Sequence, residues 1–239
     1  MDQKESDILS NEDLLQHWYY KSKAKAMMQI LGKNRPSTIL DVGAGSGFFS
    51  RYLMDNTSAK DAWCIDTNYD NDLDDYWNEK PIHYRQSIEN IDADLVLLMD
   101  VLEHVDDDFG LLKSYVDKVP IGTQFLISVP AFQFLWSGHD DFLEHKRRYQ
   151  LHQIENVARS AGLTVKSSSY YFGLVFPIAA ITRLLHRLNR RNTLVKSQLT
   201  RHSPLVNNTL SAICNIELPL MKFNRVAGLT AFCLVEKSL

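Results

Sequence analysis

Cysteine is scarce in this chain: Cys64, Cys214 and Cys233 are the three among 239 residues, an odd number without metal-type spacing. They read as buried thiols in a reducing compartment rather than as a disulfide or metal framework. Excess charge is also missing. A net charge of −3 argues against a dedicated nucleic-acid binder. The apolar stretch YYFGLVFPIAAI falls short of the ~20 residues needed to span a bilayer. The start, MDQKESDILSNED, lacks the basic flank and apolar core of a signal peptide, so a cytoplasmic protein is expected. Repeats and low-complexity linkers are absent, which leaves no sign of a second independent domain.

What the chain does have is LDVGAGSG at residues 40–47. Upstream, STIL is β-branched and apolar enough for a buried strand; downstream, FFSRYLM has helical spacing. A glycine-rich turn therefore joins a strand to a helix. Gly43 can adopt backbone angles closed to other residues, Gly45 lets a ligand approach the main chain, and Gly47 lets the helix pack closely. Unpaired N–H groups at the helix start then face the ligand. The third glycine comes one residue early for a dinucleotide fingerprint, and Phe48 stands where that fingerprint wants a small residue. Asp41, just before the turn, suits a ligand with a positive amino group better than a pyrophosphate. S-adenosylmethionine is such a ligand.

Strand-like segments at 38–42, 61–66, 82–86, 94–100, 123–129, 164–171 and 228–235 alternate at first with helical ones at 12–31, 46–54, 70–78 and 106–118. Ser10 or Asn11 would cap the first helix and Gly32 would end it. The expected fold is α/β: a Rossmann-like, mostly parallel seven-stranded sheet with an antiparallel last strand and helices on both faces. One domain would comprise an N-terminal helical segment (1–35), a cofactor-binding core (36–171), an insertion (172–226) and the last strand (227–239). The insertion is apolar and then basic, carrying Arg183, Arg187, Arg190, Arg191, Lys196 and Arg201. Such a segment could lie in a membrane interface, placing the protein peripherally at the inner face, or serve as a lid or homodimer contact.

In an open parallel sheet, ligands bind beyond the carboxyl ends of the strands. Asp66 ends the second strand, where a carboxylate can accept both ribose hydroxyls or cap the following turn. Ser87 ends the third strand, and Asp100, in LLMDVLEHV, ends the fourth. His104, in the same run, reads as structural.

LDVGAGSG, Asp66 and LLMDVLEHV together resemble the class I S-adenosylmethionine-dependent methyltransferases over about residues 12–170. HWYYKSK and VPAFQFLWSGHDDFLEHKRRY further resemble a bacterial group related to the ubiquinone-biosynthesis methyltransferases. The resemblance implies that Asp41, Gly43, Ala44 and Gly45 line the methionine part of the cofactor, with Asp66 on its ribose. It also implies that the main chain around Met99 holds the amino group. Gly47 completes the turn, and Ser87 stands where an aspartate near the adenine amino group is usual. Lys23 replaces an arginine common in the first-helix motif.

Methyl transfer from a sulfonium needs alignment of acceptor and methyl carbon and, for a hydroxyl acceptor, a base. SGHDDFLEHKRRY supplies His139, Asp140, His145 and Tyr149, with His139 or His145 as the candidate base. Arg147 and Arg148 are either solvated or bind an acceptor carboxylate or phosphate. No metal is expected, since the cluster has no recognisable ligand spacing. The expected activity is methyl transfer to oxygen on an amphipathic or lipid-linked acceptor. The alternatives are a soluble small-molecule acceptor or a non-catalytic cofactor-binding scaffold.

Overall fold

The computed structural model describes residues 16–33, 36–188 and 203–238. Its first helix, α1 (Trp18–Leu31), ends at Gly32, whose amide donates to the Met28 carbonyl at 3.0 Å. The expected helix start at Glu12, with its cap, lies outside the described residues. Strand β1 (Thr38–Val42) then runs through the glycine turn into α2 (Phe48–Asn56), and β2 (Asp61–Ile65) follows.

The expected helix at 70–78 is instead β3 (Leu73–Trp77), which forms a hairpin with β4 (Lys80–Arg85). The turn is the physical reason for the difference. Asn78 and Glu79 both have positive φ, 49° and 66°, the pattern of a two-residue hairpin turn, but without the glycine that usually announces one. The Asp55 carboxylate accepts from the Trp77 indole and the Asn78 amide at 2.8 Å each, holding the hairpin to the end of α2.

Strand β5 (Leu95–Met99) leads through a 3₁₀ turn (Leu102–His104) to α3 (Asp108–Lys118), which Asp107 caps by accepting from the Gly110 amide. Next come β6 (Gln124–Pro130), a 3₁₀ turn (Gln133–Leu135), α4 (Gly138–Phe142), α5 (Leu151–Ser160) and β7 (Leu163–Tyr171). The insertion forms α6 (Phe176–Leu188), α7 (Pro204–Glu217) and a 3₁₀ segment (Leu218–Phe223) before β8 (Thr230–Lys237). Among the described residues, no helix is long and apolar enough to cross a membrane.

The eight strands form one sheet in the order β3-β4-β2-β1-β5-β6-β8-β7. The central pairs are parallel, while β8 runs antiparallel to both β6 and β7. This is the expected Rossmann-like plan with one more strand, the β3 edge. Alternation along each strand feeds two cores. Ile39, Leu95, Leu97 and Phe232 face α1, α2 and the insertion, whereas Leu40, Val96, Leu98, Phe125 and Val235 face α3 and α5. Each such side chain, fully buried, contributes roughly 1.5–3 kcal/mol.

Gly228, at the approach to β8, has no room for a side chain: a Cβ there would stand 2.3 Å from the Tyr171 carbonyl oxygen. Gly228→Ala must displace β7 backbone, and a loss of ~1–3 kcal/mol is expected in denaturant unfolding. An unchanged midpoint would show that this corner is not closely packed.

Candidate active site

The carboxyl ends of β1, β2 and β5 open onto a cavity of about 530 Å³, within the size range of small-ligand and cofactor sites. Gly43, Asp66 and Asn68 form one side; Asp100, Val101 and His104 form the floor; Tyr115 and Lys146 close it.

The glycine turn is built as its sequence suggests. Gly43, Gly45 and Gly47 all have positive φ, at 65°, 52° and 73°. At Gly43 space is limiting as well, since a Cβ would lie 2.8 Å from a Val101 methyl. The Gly43 and Ala44 amides donate to the Ile65 carbonyl, which fastens the turn to the end of β2. Asp66 ties it further: its carboxylate accepts from the Gly45 amide and from the Asn68 amide, each at 3.0 Å. Asp66 is therefore both a turn anchor and a cavity residue, and each of its oxygens keeps acceptor capacity. The Tyr69 hydroxyl donates to the Gly45 carbonyl at 2.6 Å. The Ser46 hydroxyl oxygen, beside Gly45 in the turn, is buried without a hydrogen-bond partner.

Asp41 lies behind this wall. It is buried beneath α2, where it accepts from the Ser50 hydroxyl at 2.8 Å, and burial pushes its carboxyl up to about 6. Ala44 is likewise in the core, and Met99 is buried just before the cavity floor begins at Asp100. Gly47 starts α2 from the left-handed region. Ser87 is exposed and lies outside the cavity wall.

Asp100 has φ 58° and forms an ion pair with Lys23 of α1, a lysine with no exposed surface. Burial alone would lower the Lys23 ammonium, yet the neighbouring Asp100 carboxylate carries it above its usual value. For Asp100 the sign reverses: burial pushes upward, and Lys23 outweighs it. The Ser128 hydroxyl donates to the same carboxylate at 3.2 Å. The lysine in the first-helix motif thus sets the cavity floor through Asp100.

The segment after β6 is organised by Asp140, which is fully buried. It accepts from the Ser137 amide and hydroxyl, from His145 Nδ1 at 2.9 Å, and from Arg148 Nε and Nη2 at 2.6 and 2.9 Å. These partners hold its carboxyl far below the usual range despite burial. Arg148 also donates to the Ala131 carbonyl, and Arg147 donates to the Val105 and Asp106 carbonyls, so both arginines are clamps within the chain. Tyr149 donates to Asp108 at 2.8 Å and is buried.

Neither candidate base lies in the cavity lining. His145 packs edge-to-face on His104, ring centres 4.7 Å apart, and His104 does line the cavity. His139 is half-buried on the side of Arg148 and Arg183, and burial lowers it to about 4. His104, set aside as structural from the sequence, is thus a wall residue; its place one turn beyond a strand end was the available signal. Glu103, His104 and His145 each offer a ligand atom within 4.8 Å of the others, the donor set of a divalent-cation site. Both Glu103 carboxylate oxygens are buried without a hydrogen-bond partner, and burial, then the Asp100 charge, raises its carboxyl well above the usual value.

Residues 15–168, more than half of the chain, match the family described as methyltransferase domain. No curated protein matches the sequence. Among solved structures, a putative methyltransferase of Haloferax volcanii, in complex with the Trm112 methyltransferase activator, is 15% identical. That match covers 96% of this chain and 94% of the other with a TM-score of 0.56. A putative methyltransferase from Bacillus halodurans is 11% identical over 91% of this chain and 100% of its own, at 0.52. A SAM-dependent methyltransferase from Archaeoglobus fulgidus is 16% identical over 91% and 94%, at 0.51. This chain belongs to the methyltransferase domain family, and S-adenosylmethionine stands as its cofactor.

Two outcomes follow from the turn. In the folded protein Asp41 keeps its proton up to about pH 6, against 3.8 in the unfolded chain. Its contribution to stability is therefore complete below the lower value and lost as pH rises through the upper one. Asp41→Asn should abolish that loss, gaining roughly 2–3 kcal/mol over the parent between the two limits; parallel stability-versus-pH curves would contradict the assignment. Gly43→Ala, strained and blocked by Val101, should lose detectable S-adenosylmethionine binding in calorimetry, and an unaltered affinity would detach the turn from the cofactor.

Proposed function

We propose that this methyltransferase transfers the methyl group of S-adenosylmethionine to oxygen on an amphipathic or lipid-linked acceptor, with His145 as the base. The observation that carries the reading is the buried Asp140–His145 pair set against His104 at the cavity wall. A neutral imidazole donating Nδ1–H to a carboxylate presents its Nε2 lone pair, and its rotation is fixed. His139 is the weaker candidate: lowered to about 4, it is neutral at physiological pH but takes up a proton poorly.

When bound, the cofactor supplies the activated methyl group. The chain's own residues then do the rest. Asp66 accepts from the ribose hydroxyls with the capacity it retains beyond the Gly45 and Asn68 amides. Gly43, Gly45 and Ser46 flank the methionine part, with Asp41 supporting the turn from behind. The main chain at Met99 and Asp100, braced by Lys23, holds the amino group. His145 moves the acceptor's proton off as its oxygen attacks. The amphipathic acceptor is supported by the neighbourhood of the His145 segment, where Phe132, Phe134 and Phe176 cluster with centres 5.5–6.1 Å apart.

A screen of lipid and sugar acceptors with methyl-labelled cofactor tests the acceptor class. On an acceptor so found, His145→Asn should lower turnover by ~10²–10⁴-fold with cofactor affinity little changed. Asp66→Ala should instead weaken cofactor binding. Full turnover in both His139→Ala and His145→Ala would remove the histidines, and absent cofactor binding by the parent would sink the whole reading.

A further inference from the structure

Helix α6 is packed the wrong way round for a water-facing helix. Ile178, Ile181, Leu184 and Leu185 recur at helical spacing on one side, and each is roughly half to two-thirds exposed. Leu174, just before the helix, continues the row at 53% exposed. The side turned inward carries Phe176, Ala179, Ala180 and Arg183, all partly buried, and the Arg183 guanidinium donates to the Leu135 carbonyl at 2.7 Å. The helix thus hides an arginine and small residues while presenting branched aliphatic side chains outward.

The apolar surface extends beyond α6. Phe134 is 42% exposed and meets Phe176 edge-on with centres 6.1 Å apart. At the other end, the Gly173 and Leu174 amides donate to the Glu217 carboxylate, bringing the start of the row to the 3₁₀ segment, where Leu220 and Phe223 are exposed. A contiguous exposed apolar surface of this kind marks an interaction site.

Charge selects the occupant. From Phe172 to Ile216 the sequence holds no aspartate or glutamate, against Arg183, Arg187, Arg190, Arg191, Lys196 and Arg201. Lys222 adds an exposed cation beside Phe223. Five acidic residues, Asp70, Asp72, Asp74, Asp75 and Glu79, gather around β3, the sheet edge opposite β7. Along the sequence, charge is thus segregated despite a net of only −3. A second copy docked symmetrically on this face would set Lys222 against the same acid-free surface, with no opposite charge to meet it. An anionic bilayer accommodates both features, taking the aliphatic row into its interface and Lys222 at its headgroup phosphates.

We propose that the outward face of α6, with Phe134, Leu220 and Phe223, docks this protein on an anionic lipid bilayer. Its purpose, delivering acceptor to the neighbouring cavity, rests on the amphipathic-acceptor reading above; the docking itself does not. The surface adjoins the acceptor side, since Arg183 of α6 grips the turn that leads into the Asp140–His145 segment.

The test is co-sedimentation of the full chain with phosphatidylcholine vesicles and with vesicles also containing phosphatidylglycerol. Binding to the anionic vesicles, weakened by salt and slight on the neutral ones, is expected. The double variant Ile181→Glu and Leu185→Glu should bind them at least ~10-fold more weakly, because two half-exposed aliphatic anchors are lost. Its calorimetric affinity for S-adenosylmethionine should match the parent's, which shows that it folds. Absence of parent binding, equal binding by parent and variant, or a parent dimer that the variant dissolves without any vesicle binding would each overturn the proposal. Failure of cofactor binding in the parent would instead strike the functional reading and leave the vesicle result to stand separately.

Discussion

The cavity depends on the buried ion pair between Lys23 and Asp100. A lysine with no exposed surface is costly unless its charge is met, and Asp100 meets it from the first position after β5. Asp100 in turn sits in the left-handed region, where an aspartate tolerates the backbone better than most residues. The pair therefore fixes the point at which the chain leaves the sheet and turns under the cofactor. It also makes α1 part of the site, although that helix contributes no residue to the cavity wall. Glu103 feels the same arrangement: burial first, and then the nearby Asp100 charge, raise its carboxyl well above the usual range, and its carboxylate oxygens have no hydrogen-bond partner.

A second hub, Asp140, plays the equivalent part on the acceptor side. One carboxylate collects an amide, a hydroxyl, an imidazole and a guanidinium, so the segment from Ser137 to Arg148 behaves as one unit rather than as a loose loop. The two hubs meet where His145 packs edge-on against His104 and where the Lys146 amide donates to the Glu103 carbonyl at 2.6 Å. Cofactor floor and acceptor wall are thus mechanically joined.

Much of this was legible in the sequence where the signals are local. The strand-glycine-helix run from Ile39 to Met54 is specified by neighbours in the chain, and so is Asp66 as a strand-end carboxylate. The β3 hairpin was not legible, because Asn78 and Glu79 supply positive φ without a glycine and the strand is an exposed edge with little apolar alternation. The inward position of Asp41 and the use of Arg147 and Arg148 as internal clamps depend on which elements pack together. No spacing rule encodes that. The insertion was recognisable as apolar and then basic; that α6 turns its aliphatic side outward required the packed structure.

The place of β8 has a consequence for how the sheet is completed. It lies between β6 and β7 and is antiparallel to both, so among the described residues β7 has no other strand to bond with. Between them the chain must first traverse the whole insertion. Through synthesis, β7 and the exposed flank of β6 therefore remain open edges until β8 threads between them, a long loop closure that comes late in assembly. During that interval the two edges are the part of this chain most exposed to wrong pairing, and a chaperone acting on it would find its task there.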